Sequence, residues 1–252
     1  MSVSLVGRRA LVTGSSHGLG LATARLFARS GAEVVLHASA SRAQAQAAAV
    51  DLGARSLGVV TADLAEPGAG RRLFAEADAL AGGRLDVLVN NAGIYTATPF
   101  DAADADWDAA WARVLQVNLT ALADLCRAAV RAFAGRGGGA LVNIASRAAH
   151  RGDDGDHAAY AASKGGVLAL TRTIARAHAH EGVLAYALAP GWIDTRMAPQ
   201  DPAGIATAVA GIPLGRMATA DEVAAMCAFL ASGACASATG ACIDINGASY
   251  VR

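Results

Sequence analysis

Short runs of apolar, often β-branched residues alternate along this 252-residue chain with alanine-rich stretches of helical length, and that alternation restricts the fold more than any other feature. The runs are Ala10 to Thr13, Glu33 to His37, Ser56 to Ala62, Leu85 to Asn90, Ala140 to Ala145, Leu184 to Ala189 and Ala241 to Ile245. The pattern is that of an α/β protein, a doubly wound parallel sheet of about seven strands with helices on both faces. No linker, repeat or low-complexity block breaks the order, so residues 1–252 are expected to form one domain. Gly135 to Gly139 reads as a mobile turn within it. In open α/β sheets ligands bind beyond the carboxyl ends of the strands, so any chemistry should line that rim.

The first run leads directly into Thr13-Gly14-Ser15-Ser16-His17-Gly18-Leu19-Gly20. Glycines at 14, 18 and 20 permit a tight turn, close backbone approach to a diphosphate, and tight packing of the next helix, whose N-terminal amides favour negative charge. Placed between a strand and a helix near the N-terminus, the turn points to a dinucleotide site. Further along stand Tyr160 and Lys164. A phenol, with an unperturbed pKa of roughly 10, exchanges protons at neutral pH only where something favours the phenolate. Residues i and i+4 share a helix face, which puts the lysine ammonium beside the ring. Ser146 follows the run ending Asn143-Ile144-Ala145, so its hydroxyl emerges at a strand's carboxyl end and can orient a substrate oxygen toward Tyr160. Asn118 lies in the helical stretch Trp111 to Phe133, where a buried amide requires partners.

Composition sets limits. The 21 basic and 21 acidic residues cancel, leaving no electrostatic footprint for nucleic acid or an anionic membrane. Hydrophobic residues make up 54% of the chain, but they are mostly alanine and are interrupted before any membrane-length run. Cys126, Cys227, Cys235 and Cys242 show no metal-ligand spacing and read as small buried hydrophobes in a reducing compartment; no metal is expected. The stretch Met1 to Arg9 lacks the apolar core of a secretory signal, so a cytoplasmic protein is expected.

Thr13-Gly14, Gly18-Leu19-Gly20, Asn90-Asn91-Ala92-Gly93, Asn118, Ser146, Tyr160 with Lys164, and Pro190-Gly191 stand in the order and approximate spacing of the short-chain dehydrogenase/reductase family, which the chain resembles over nearly its whole length. The resemblance is strongest to the 3-oxoacyl-(acyl carrier protein) reductase and sugar or polyol dehydrogenase branch. It implies a Rossmann-type fold and hydride transfer between a nicotinamide and a carbonyl or secondary alcohol. Tyr160 would be the general acid/base and Ser146 its partner on the substrate oxygen. Lys164 would also hold the nicotinamide ribose, and Asn118 a water linking Lys164 to solvent. The resemblance further implies cofactor contacts from Gly14, Ser16, His17, Gly18, Leu19 and Gly20, from His37, Ala38 and Ser39, from Asp63 with Leu64 at the adenine, from Asn91, Ala92 and Gly93 on the adenine ribose side, from Pro190 and Gly191, and from Ile193 and Thr195 at the carboxamide. It implies a homotetramer, or failing that a dimer, paired through the long helices after the fourth and fifth strands. The small residues Ala161, Ala162, Gly165 and Gly166 offer close approach on the second of these.

Cofactor choice has a signal of its own. NAD sites usually carry a carboxylate about 20 residues beyond the glycine turn to hold the ribose hydroxyls. From Val34 through Val50 this chain has none, and His37-Ala38-Ser39-Ala40-Ser41-Arg42 offers imidazole, hydroxyl and guanidinium donors to a 2′-phosphate. NADP(H) is therefore favoured over NAD(H), although His17 stands where many NADP-dependent relatives carry Arg. A small-molecule or acyl-carrier-linked carbonyl is the expected substrate. The alternatives are an NAD-dependent polyol, sugar or hydroxysteroid dehydrogenase and, further off, a non-catalytic nucleotide sensor. Between Ser146 and Tyr160 the charged segment Arg147 to His157 suits either a polar substrate or a solvated edge, and the segment 193–214 reads by analogy as a substrate lid.

Overall fold

A computed structural model describes residues 3–252; Met1 and Ser2, part of the stretch read for a secretory signal, lie outside the described residues. In chain order the elements are β1 (Arg9–Val12), α1 (Gly18–Arg29), β2 (Glu33–Ala38), α2 (Arg42–Leu52), β3 (Ser56–Thr61), α3 (Ala69–Leu80), β4 (Val87–Asn90), α4 (Asp104–Leu115), α5 (Ala121–Ala134), β5 (Gly139–Ile144), α6 (Ala148–Arg151), α7 (Ala158–His178), β6 (Val183–Pro190), α8 (Pro202–Ala210), α9 (Ala220–Ala231) and β7 (Cys242–Ile245). The seven strands form one sheet in the order β3-β2-β1-β4-β5-β6-β7, and every pairing is parallel.

Because successive strand residues face opposite sides, the short apolar runs feed two cores at once. On β1, Leu11 joins Leu73, Phe133 and Val167 from α3, α5 and α7 on one face, while Ala10 and Val12 join Phe27, Leu52 and Val223 from α1, α2 and α9 on the other. Strand order reverses between β1 and β4, since the chain runs outward to β3 and then returns to β1's free side. That reversal opens a crevice above the carboxyl ends of β1 and β4.

Two expectations change, one for a helix and one for the cysteines. The stretch Trp111 to Phe133 is not one regular helix: a π-turn at Gln116–Thr120 separates α4 from α5. In the turn at 135–139, Gly138 N–H donates to Phe133 O at 2.9 Å and a Cβ at Gly138 or Gly139 would press on Gly182 or Phe133, while Gly137 stands open. Among the cysteines only Cys126 and Cys227 are buried; Cys242 is partly exposed and Cys235 lies on the surface, because it sits in the loop after α9 rather than on a packed face. No helix of the described residues is long and apolar enough to cross a membrane.

Candidate active site

At the β1/β4 crevice two βα turns are stitched together by side chains. Thr13 Oγ1 accepts from the backbone N–H groups of Asn91 and Ala92, both at 3.0 Å, and Asn91 Nδ2 returns to the carbonyls of Thr13 at 2.8 Å and Gly14 at 3.2 Å. The glycine turn needs its glycines: Gly14 and Gly18 have φ of +63° and +53°, and a Cβ on Gly20 would collide with the Gly14 carbonyl. α1 begins with no acidic residue in its first turn and no side-chain cap, so its amides face the crevice uncommitted. These features fit a dinucleotide diphosphate.

Tyr160 and Lys164 lie one turn apart near the start of α7, and Ser146 stands just past the end of β5. Lys164 Nζ donates to the Ile144 carbonyl at 2.8 Å and lies 5.7 Å from the Tyr160 ring centre. Burial pushes the Tyr160 phenol up to about 12, hydrogen bonding to Ser146 acting in the opposite sense, and it brings the Lys164 ammonium down to about 8. Asn118 sits in the π-turn, fully buried. Its Oδ1 accepts from Ile94 N–H at 2.8 Å, and its Nδ2 donates to the Ile94 carbonyl at 2.9 Å and to Ser163 Oγ at 3.3 Å. Insertion of one residue into a helical turn is how a helix presents a group that regular geometry would turn away.

A cleft of about 330 Å³ runs from the glycine turn to Tyr160. Of the sequence-predicted residues, Gly14, Ser16, His17, Gly18, Leu19, His37, Ala38, Ser39, Asp63, Leu64, Asn91, Ala92, Gly93, Ser146, Tyr160, Lys164, Pro190, Gly191, Ile193 and Thr195 line it. Gly20 and Asn118 lie behind the wall and act on it through Gly14 and Ile94. His37 requires a correction. Its Nδ1 accepts from Gly14 N–H at 3.0 Å and its Nε2 reaches the Ala62 carbonyl at 2.9 Å, so the ring is a neutral brace, its pKa lowered by burial, and has no donor left for a phosphate. Ser41 and Arg42 do not line the cleft; they open α2 on the exposed side.

Some participants went unread in the sequence. Tyr95 packs edge-on to Tyr160 at 4.8 Å and to Trp192 at 6.0 Å, and stacks on His157 at 3.7 Å, forming an aromatic wall beside Tyr160. Asn90 donates to Asn143 at 2.8 Å, which donates to Thr171 at 2.9 Å, tying β4, β5 and α7 together beneath the rim. The two asparagines were visible as polar residues in apolar runs; the aromatic wall gathers three distant segments and left no local signal.

The family model described as enoyl-(acyl carrier protein) reductase matches residues 14–248. The chain is 40% identical to cis-4-hydroxycyclohexanecarboxylate dehydrogenase of Sinomonas cyclohexanicum over 98% of both chains. It is 36% identical to the 3-oxoacyl-[acyl-carrier-protein] reductase of Vibrio cholerae over 99% of this chain and 100% of that one. A short chain dehydrogenase from Burkholderia cenocepacia, solved in complex with NADP, superposes with a TM-score of 0.88 at 34% identity, covering 97% of this chain and 98% of the other. With the motif order, the sheet topology and the cleft, these matches make the chain a member of the short-chain dehydrogenase/reductase family, an enzyme acting on CH–OH groups.

Proposed function

We propose that the protein transfers hydride reversibly between NADP(H) and a carbonyl or secondary alcohol of a small molecule, with Tyr160 as general acid in reduction and general base in oxidation. The observation that carries this reading is the convergence of Ser146, Tyr160 and Lys164 from two elements in the same cleft as the glycine turn. When bound, the nicotinamide supplies or accepts the hydride. Ser146 orients the substrate oxygen. Tyr160 keeps its proton at neutral pH, as donation to a developing alkoxide requires; in the other direction the Lys164 ammonium must favour the phenolate. By family likeness Lys164 also holds the ribose hydroxyls, Asn118 serves the proton relay, and the remaining cleft residues hold the dinucleotide in the roles given above.

The preference for NADP rests on the missing carboxylate at the end of β2, where Ala38 and Ser39 face the cleft, and the NADP complex of the Burkholderia relative supports it. An NAD-dependent polyol, sugar or hydroxysteroid dehydrogenase stays in view for one reason: His37 is committed and Arg42 lies outside the cleft, which removes two of the expected phosphate donors. The proposal extends to one domain over 1–252, with 193–214 closing over the substrate, to a cytoplasmic setting in keeping with four free thiols, and to a homotetramer, or a dimer failing that. The test is turnover of matched ketones, sugars and a 3-oxoacyl thioester with NADPH and NADH, in wild type and Tyr160→Phe. Wild-type turnover that survives unchanged in Tyr160→Phe excludes the mechanism.

A further inference from the structure

The substrate end of the cleft holds a positive charge that no carboxylate pairs with directly. Arg196 lies near His17, whose imidazole it disfavours in the charged form, and so belongs to the glycine-turn end. Arg151 has a carboxylate partner, Asp153, at 3.9 Å. Arg147 has none. Its backbone is fixed by an N–H donated to the Pro190 carbonyl at 2.9 Å, and its guanidinium donates to the neutral hydroxyl of Ser249. Among the described residues no carboxylate comes within 4.0 Å of it. The group is half-buried, follows Ser146 directly in sequence and lines the cleft with Tyr95, Trp192 and Tyr160. Asp153, which lines the same cleft, acts on it only through space, and neighbouring Arg151 adds like charge. A guanidinium partly withdrawn from water without a counter-charge is costly unless a ligand completes it, and its planar fork matches a carboxylate.

We propose that Arg147 binds a carboxylate of the substrate, so that the compound reduced is an oxo acid whose carbon skeleton lies against Tyr95 and Trp192 while its carbonyl reaches Ser146 and Tyr160. The proposal rests on the reductase reading above. Hydride from NADPH would form the new C–H bond with its own electron pair, the C=O π pair would move to the oxygen, the oxygen would take its proton from Tyr160 to form the O–H bond, and the carboxylate would be unchanged. The products are a hydroxy acid and NADP+, with Tyr160 reprotonated from solvent. An acyl-carrier thioester, which carries no free carboxylate at that position, is disfavoured.

Two measurements test this. The first needs no turnover: benzoate and acetate, with benzamide and acetamide as neutral counterparts, are titrated against the NADP-loaded protein, reading the fluorescence of Trp192 and the other tryptophans. The acids are expected to bind at least ~10-fold more tightly than the amides in wild type, and Arg147→Gln to lose that margin. The second compares kcat/KM for 4-acetylbenzoate and 4-oxopentanoate with that of their methyl esters. Wild type should favour the acids by ~30-fold or more, Arg147→Gln should collapse the ratio mainly through KM, and Arg147→Lys should restore part of it. Because each ratio is taken within one protein, a partly unfolded variant cannot mimic the result. Equal binding of acids and amides by wild type, or an acid-to-ester ratio unchanged in Arg147→Gln, overturns the carboxylate proposal. Acid binding without turnover of any ketone would instead strike at the reductase reading and leave the anion site standing.

Discussion

Lys164 is the only lysine in the chain, all other basic side chains of the 21 being arginine, so its titration can be followed alone. Its ammonium is buried, with its pKa brought from 10.5 to about 8. Between those values the unfolded chain holds a proton that the folded chain has released, so folding stability from this group rises with pH across that window. In protein carrying lysine labelled with carbon-13 at the ε position, the single resonance is expected to shift with a midpoint near 8; a midpoint near 10.5 would show a solvated amine. Lys164→Met should raise the Tm at pH 7, since it removes a buried charge, while reducing turnover and cofactor affinity. A lower Tm in that variant would show that the bond to Ile144 outweighs the desolvation. Cofactor choice is also decided at this scale. Ala38→Asp puts a negative charge where a 2′-phosphate would sit, and a penalty of about 1 to 3 kcal/mol should move preference toward NADH by tenfold or more. Dissociation constants for NADPH and NADH check it, and an unchanged ratio removes the end of β2 from phosphate reading. Residue identities were legible because turn, phenol, amine and hydroxyl each need a particular chemistry. The task of His37 was not: sequence shows a donor, whereas only the fold shows that both ring nitrogens are already used by Gly14 and Ala62.

Among the elements, the π-turn between α4 and α5 decides where Asn118 points. Val114, Val117 and Leu122 continue to read as helix through it, because adding one residue to a turn leaves a polar position among apolar ones with no marker of its own, and the sequence therefore suggests a single helix. Strands, in contrast, were readable to within one or two residues, since each of the first six apolar runs ends at or just before a motif. Deleting Val117 should let the turn relax to regular α-helix and rotate Asn118 away from the Ile94 backbone. Helix content by circular dichroism is expected to stay near wild type while turnover falls by ~100-fold or more, the scale on which misplacement of a catalytic group is felt. Full activity in the deletion variant would show that the π-turn is a packing detail with no bearing on the cleft.

At the level of the whole molecule the two cores account for the inner faces of the helices, and what is left outward concerns assembly. On α7, Gly166 is already occupied within the subunit, since a Cβ there would press on Leu119 at 2.7 Å. Gly165 is open, with the Ala149 carbonyl at 3.9 Å the nearest atom to an added Cβ, and Ala162 and Ala169 are exposed on the same side. Spacings of three and four residues put Ala162, Gly165 and Ala169 on one stripe, smooth enough for a helix of a second copy to approach closely. An isologous pairing there would bring each α7 against its twofold mate and stiffen the helix that carries Tyr160 and Lys164. Light scattering at micromolar concentration should give a mass four times the 25.2 kDa chain, or twice it if one pairing alone forms. Gly165→Trp, whose Cβ meets the rest of the subunit only at ordinary van der Waals distance, should lower that mass and with it the Tm, because the pairing stabilises the folded chain by mass action. A monomer in the wild type, or an assembly indifferent to Gly165→Trp, would remove α7 from the interface and leave its small residues without an intermolecular role.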